Sequence, residues 1–342
     1  MSKPSHHYAA GSKIRRGEVK SSVSGYNGFA LVLVLWVMSL LTIMAGSFAL
    51  TMRRESAIVS GIKDNAGIIA VAEAGIAMAE MMLMHPDQNK RWRTDGNIYE
   101  VAFGDTKARI RLLSETGKID INKAGQPLLQ AMMAQAQVDE KQQAKLIGAI
   151  MDWRDQDDLL NIEGAEKKEY KDAGLKYQPR NKPFQTVDEL QMVLGMDEKV
   201  FNWLEPIITV YSGQPQVNLK LATANVLNKL PGLDADMINT FIVNRLESDK
   251  NDLPIPEFPG SVLGGATASP NETVTIVSEV QATDETTALV IATVVKSDTA
   301  TAQSEPFKIL KYQRNPANQE SLFTDSMSEL VAKQYVEPQL SD

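Results

Sequence analysis

The longest uninterrupted apolar stretch constrains this chain more than any other feature. Phe29 to Met52 reads FALVLVLWVMSLLTIMAGSFALTM, 24 residues without a charge. As a helix it measures roughly 36 Å at about 1.5 Å per residue, enough to cross a hydrocarbon core of about 30 Å. The chain is therefore read as a single-pass membrane protein. A polar leader carrying Lys3, Lys13, Arg15, Arg16 and Lys20 precedes the run, and Arg53, Arg54 and Glu55 follow it. The basic excess ahead of the span favours a cytoplasmic N-terminus, a contrast that the Arg53-Arg54 pair weakens. A secretory signal is the competing reading, since Ser47-Phe48-Ala49 offers a small-x-small pattern. Such signals carry an apolar core of only about 7–15 residues, however, and this run is longer.

Beyond the span, the 342 residues leave room for two domains of ordinary size. The net charge is −8. Without the first 28 residues, 30 basic side chains face 42 acidic ones, a net −12. Such a surface repels phosphate backbones and anionic headgroups, and favours divalent cations or basic partners. There is no cysteine, so stability has to come from the core or a bound ion.

Past Arg54 the pattern becomes amphipathic. Ile62, Ile69, Ile76 and Leu83 recur every seven residues, with Ile58, Ala72 and Ala79 on the same side, and no proline intervenes before Pro86. One helix from Phe29 to about Met84 is expected, with this whole stripe buried.

Two short strands follow, Ile98–Phe103 and Lys107–Leu113, around a Gly104-Asp105-Thr106 hairpin signal. Strand-like runs rich in Val, Ile and Thr return at Thr273–Val280, Ala288–Val295 and Phe307–Tyr312. The stretch between is helical in pattern. Gln126-Pro127 opens a helix, Glu140 to Trp153 forms another, and Val187–Leu194 and Val200–Ile207 are short pieces. The expected fold is α+β: a discontinuous domain of residues 53–117 and 265–314, with an all-helical insert at 118–250, a linker at 251–264 and a poorly ordered tail at 315–342.

Within the insert, Ile119-Asp120-Ile121-Asn122-Lys123-Ala124 and Gln216-Val217-Asn218-Leu219-Lys220-Leu221-Ala222 each precede a helix. The second continues into Leu230-Pro231-Gly232-Leu233, which resembles a helix-hairpin-helix turn. In nucleic-acid-binding versions the glycine turn presents backbone N–H groups to phosphate. Here Asp234 and Asp236 follow it, and residues 118–257 hold 16 basic against 22 acidic groups. Packing modules for protein contacts are the better reading, and no nucleic acid is expected.

The densest charge run is Asp152-Trp153-Arg154-Asp155-Gln156-Asp157-Asp158, followed by Glu163, Glu166 and Glu169. Asp155, Asp157, Glu163 and Glu166 fall at positions 1, 3, 9 and 12 of a twelve-residue window. Leu159 and Leu160 occupy the places where an EF-hand needs an oxygen ligand and a glycine, so the window is not an EF-hand. Two readings stay open from the residues alone, another kind of calcium loop and a solvated acidic surface. Two of the three histidines, His6 and His7, lie in the leader, and no nucleophile–base set or Gly-rich phosphate loop is present, so no enzyme is expected.

Gly28-Phe29, between a basic leader and an uncharged helix, resembles the type IV pilin and pseudopilin precursors. That resemblance implies cleavage by prepilin peptidase after Gly28 and methylation of Phe29. Further segments narrow it: Ala72-Glu73-Ala74-Gly75, Gly117 to Asn122, Asp152 to Asp158, Gly164-Ala165-Glu166, Pro183-Phe184 and Thr209 to Gly213. In this order they resemble the minor pseudopilin K family of the type II (general) secretion pathway. The family implies a pilin-like long N-terminal helix on a small antiparallel sheet, with the helical insert. It also implies an inner-membrane protein with its bulk in the periplasm, at the tip of a pseudopilus that serves export across the outer membrane. Implied partners are minor pseudopilins I and J and the major pseudopilin. Calcium is implied too, with Asp155, Asp157, Asp158 and Glu166 matching the acidic motif and Glu163 added by spacing alone. Most pilins carry Glu at the fifth position from the new N-terminus; here it is Leu33, which points to a filament-initiating cap. A membrane-anchored helix-hairpin-helix DNA receptor is the alternative.

Overall fold

The fold is that of a computed structural model, which describes residues 27–259, 272–297, 306–317 and 319–335. The leader up to Tyr26 and part of the expected linker lie outside the described residues. The chain divides into two units, one ending at Ile62 and one running from Lys63.

Helix α1, Asn27–Leu83, is unbroken for 57 residues, in keeping with the absence of proline before Pro86. From Phe29 onward it is long and apolar enough to cross a membrane. Its side chains in the first unit are exposed, Ile58 and Ile62 among them. Of the expected stripe, Ala72, Ile76 and Ala79 are buried on the sheet beside Ile68, while Ile69 and Leu83 are half-buried against it. Heptad spacing marks one side of a helix but not how far a partner surface extends along it.

Strands β1 (Asp95–Phe103) and β2 (Thr106–Ser114) form the expected hairpin, with Gly104 at φ 57° in the turn. Two short strands, β3 (Ile119–Asp120) and β4 (Ile208–Thr209), pair in parallel. They lie inside the stretch expected to be all-helical, and two-residue strands carry no periodicity by which to be seen. Strands β5 (Thr273–Gln281), β6 (Thr287–Lys296), β7 (Phe307–Arg314) and β8 (Val331–Tyr335) complete a six-stranded sheet of order β7-β6-β5-β2-β1-β8. Every pairing is antiparallel except β1–β8.

Strand β8 corrects the expectation of a disordered tail. Residues 319–335 cross the face of the sheet away from α1, burying Leu322 with Ile98, Val277, Leu289 and Ile291. Arg109 donates to the Leu322 carbonyl at 2.9 Å, and Trp92 Nε1 donates to the Tyr335 hydroxyl at 3.0 Å. The segment is polar in composition, and its order comes from these long-range partners rather than from its own pattern.

The helices between β3 and β5 are α2 (Gln126–Met133), α3 (Glu140–Arg154), α4 (Lys167–Asp172), α5 (Glu198–Leu204), α6 (Ala224–Leu227) and α7 (Ala235–Lys250). Asp139, Asp197 and Thr223 cap α3, α5 and α6 by accepting from backbone N–H groups of the first turn. A core of its own holds them together, with Leu129, Leu146, Ile150, Trp153, Tyr170 and Leu204 fully buried. The stretch after α7 joins this core: Phe258 sits edge-on to Phe241 at 4.8 Å, so residues 251–259 are not a free linker.

Candidate metal centre

The acidic motif closes around the C-terminus of α3. Asp152 is fully buried, one residue before Trp153, whose indole stacks on Phe184 at 5.9 Å. Asp152 lies in the last turn of α3, and Asp155, three positions on, is the extended residue that caps its end. The negative end of a helix dipole is the unfavourable end for carboxylates. Asp152 Oδ1 accepts from the backbone N–H of Asn161 at 3.1 Å and from its side-chain amide, which also reaches Asp155 Oδ2 at 3.2 Å. The other oxygens are left over. Asp152 Oδ2, Asp155 Oδ1 and Glu166 Oε1 are buried and accept no hydrogen bond among the described residues.

Two glycines bring the loop this close. A Cβ at Gly164 would stand 2.0 Å from Asp152 Oδ2, and one at Gly148 would stand 2.6 Å from the nitrogen of Gly164. A side chain at Gly148 meets the backbone of Glu163 and Gly164 and forces that segment off α3, whereas one at Gly164 displaces the Asp152 carboxylate, so the two glycines let the loop close on Asp152.

Charge makes the arrangement unfavourable as it stands. Among the described residues no Lys or Arg forms an ion pair with any of these carboxylates. Arg154 directs its guanidinium at the carbonyls of Ile121 and Ala124 instead. Burial, then the neighbouring Asp152, Asp155, Asp158 and Asp157, pushes Glu166 up to about 7. Burial, Asp157 and Asp152 likewise raise Asp155. Buried hard oxygens that repel one another and lack donors suit a hard cation such as calcium. Among the described residues no three carboxylates or imidazoles are gathered closely enough to form a shell unaided. Asp152, Asp155 and Glu166 would hold the ion, with Asp157 and Asp158 at the exposed side.

Of the residues expected from sequence, Asp155 and Glu166 sit in the cluster. Asp157 Oδ1 accepts from the N–H of Leu159 and Asp158 Oδ1 from Asn181, both near the surface. Glu163 is exposed, with φ 57°. Asp152 is the residue the spacing argument passed over; its place three residues before Asp155 on a helix is the signal that would have found it.

At the second helix-hairpin-helix-like turn, the first N–H groups of α7 are already taken. Gly232 adopts the left-handed turn, φ 77°, but the Asp234 carboxylate already accepts from the N–H groups of Asp236 and Met237 at 3.1 Å. Those are the donors a phosphate would need.

Residues 107–213, which contain the whole acidic cluster, match the family described as Type II secretion system (T2SS), protein K. This segment, about a third of the chain, is similar to the protein K family. A curated relative, Type II secretion system protein K of Klebsiella pneumoniae, is 24% identical over 212 residues. That alignment covers 56% of this chain and 65% of the relative, so the chain spans just under two thirds of the relative's length. Among solved structures, one chain of the GspK-GspI-GspJ complex from the enterotoxigenic Escherichia coli Type 2 Secretion System superposes with a TM-score of 0.49 and 13% identity. The superposition covers 78% of this chain and 99% of that one. The protein K segment begins at β2 and ends at Gly213, just past β4, so the family match takes in half of the β1–β2 hairpin and the helices from α2 to α5.

Proposed function

We propose that this chain is a minor pseudopilin of a type II secretion system, a structural component rather than an enzyme, that caps the pseudopilus tip and initiates its assembly. The protein K segment at residues 107–213 carries the reading. In it, α1 anchors the protein in the inner membrane with a cytoplasmic N-terminus, and the rest stands in the periplasm. Prepilin peptidase removes the leader after Gly28 and Phe29 is then methylated. The solved relative was crystallised with GspI and GspJ; minor pseudopilins I and J, and beneath them the major pseudopilin, are the partners proposed here.

Leu33 supports the capping role. A carboxylate in an apolar layer is costly unless paired, so a Glu-bearing subunit gains by docking beneath another subunit's N-terminal amine. Leu33 has no such need. This subunit rests in the bilayer with nothing above it, while its own amine at Phe29 receives the next Glu-bearing subunit. Calcium belongs to the same proposal, held by Asp152, Asp155 and Glu166 with Asp157 and Asp158. It supplies positive charge that stabilises the insert.

The test is copy number. Quantified along sheared pseudopili, the protein should be present in a few copies at one end, and Leu33→Glu should lower the number of filaments started. An even distribution along the shaft at the abundance of the major subunit would reject the cap. For calcium, the Tm of the detergent-held full chain should rise with calcium and stay unmoved in Asp152→Asn.

A further inference from the structure

Methionines and a histidine gather where α1 ends: Met78, Met81, Met82, Met84 and His85. The helix stops at Leu83, yet its turn runs on. The N–H of Met84 donates to the carbonyls of Glu80 and Met81 at 3.3 and 3.1 Å, and that of His85 to the Met82 carbonyl at 3.3 Å. Met81, Met84 and His85 therefore stand at positions i, i+3 and i+4, neighbours on one side of the turn with Cβ atoms about 5–6 Å apart. Met78 and Met82 are half-buried against the sheet core, whereas Met81 is 60% exposed and Met84 47%. Packing accounts for the first pair and not for the second. His85 is held by its surroundings. Its Nδ1 lies 3.1 Å from both the carbonyl and the N–H of Asp87, and Arg91 donates to the His85 carbonyl at 2.6 Å. With its proton on Nδ1, the ring donates to the Asp87 carbonyl and Nε2 keeps a free lone pair, the arrangement of a metal-ligating histidine. Among the described residues Nε2 makes no hydrogen bond.

We propose that Met81, Met84 and His85 bind a soft monovalent cation, copper(I). The ligand chemistry chooses the ion. Calcium and magnesium take oxygen ligands, and zinc takes thiolate, imidazole or carboxylate. Thioether sulfur joined by imidazole suits copper(I) instead. The unbranched methionine side chain, with three rotatable bonds, lets both sulfurs turn toward one ion while the backbone stays in place. Position favours a cation as well. The last carbonyls of a helix carry partial negative charge, and the last turn of α1 has no basic residue to answer it. The site shares no residue with the acidic cluster after α3 and does not depend on calcium.

The test uses the detergent-held full chain carrying His6→Gln/His7→Gln, because the leader histidines offer imidazoles of their own. Silver(I), a redox-inert probe, is titrated by calorimetry, and copper(I) kept reduced with ascorbate is titrated against a chromogenic chelator. One ion per chain is expected, with both sulfur and nitrogen neighbours in the copper X-ray absorption spectrum. Met81→Leu/Met84→Leu keeps side-chain volume and should weaken binding by about tenfold or more, as should His85→Gln. Met78→Leu/Met82→Leu, at the half-buried pair, should leave binding unchanged. No binding, or binding undiminished in either of the first two variants, would overturn the site. So would an equal loss in Met78→Leu/Met82→Leu, or a copper spectrum without sulfur.

Discussion

Arg245 and Asp95 face each other 3.5 Å apart, and neither reaches solvent. Arg245 belongs to α7 and Asp95 opens β1, so the pair joins the helices of the insert to the sheet. The guanidinium also donates to the carbonyls of Lys220 and Ala222 at 3.0 and 2.7 Å and to that of Asp95 at 2.7 Å. One turn further along α7, Asp249 accepts from Asn97 and the Tyr99 hydroxyl and pairs with Arg93 at 3.4 Å. Burial raises Asp95 and lowers Arg245, and each is opposed by the charge of the other.

Removing one member of such a pair leaves a buried charge without a partner. Arg245→Met should therefore cost about 3–5 kcal/mol in urea unfolding of the full chain. Adding Asp95→Asn should recover part of the loss, because the orphaned carboxylate is then gone. An additive double variant would deny the coupling.

Gly75 lets α1 approach β5. A Cβ there would come 2.2 Å from the hydroxyl of Ser278, itself buried and without a hydrogen-bond partner among the described residues. Gly75→Ala should destabilise by about 1–3 kcal/mol through overpacking. Ser278→Ala should relieve most of that, and the double-variant cycle measures how much.

The position of Glu166 gives the proposed calcium binding a pH dependence. In the ion-free protein its carboxyl is raised from 4.5 to about 7, so folding favours the protonated form. That contribution is complete below 4.5 and is lost as pH rises through 7, lowering the Tm of the ion-free chain over that range relative to Glu166→Gln. Calcium needs the ionised form, so its affinity should fall as pH drops below 7. Calorimetric titration between pH 6 and 8 reads the slope; a flat profile would remove Glu166 from the site.

The tail strand stabilises by covering. Leu322→Ala should cost about 2–4 kcal/mol, the usual range for emptying a buried leucine site. A chain ending at Pro316 uncovers Ile98, Val277, Leu289 and Ile291 together with the open edge of β1, and should self-associate in light scattering.

At the other end of the chain, N-terminal sequencing of the membrane form should begin at Phe29. A mature protein beginning at Leu50 would identify the apolar run as an ordinary signal and reject the pilin reading.

What the sequence determined by itself was local. The 24-residue uncharged run, the Gly104 hairpin, Pro127 at the start of α2 and the strands around Ile276 and Val290 all depend on neighbours a few residues away. Periodicity, capping and turn chemistry suffice for these. The acidic cluster was visible as composition, and its twelve-residue spacing found Asp155 and Glu166 but also drew in the exposed Glu163. Tertiary structure decided the rest. Asp152 acquires its meaning only because Gly148 and Gly164 let the loop that follows α3 fold back over it. Polar residues 319–335 become ordered only because β1 offers an edge and Arg109 a donor. Ile58 and Ile62 continue the spacing of the stripe yet are exposed, because spacing along a helix does not supply a partner surface. Arg245 and Asp95, 150 positions apart, bury their charges against each other, and no local pattern carries that information.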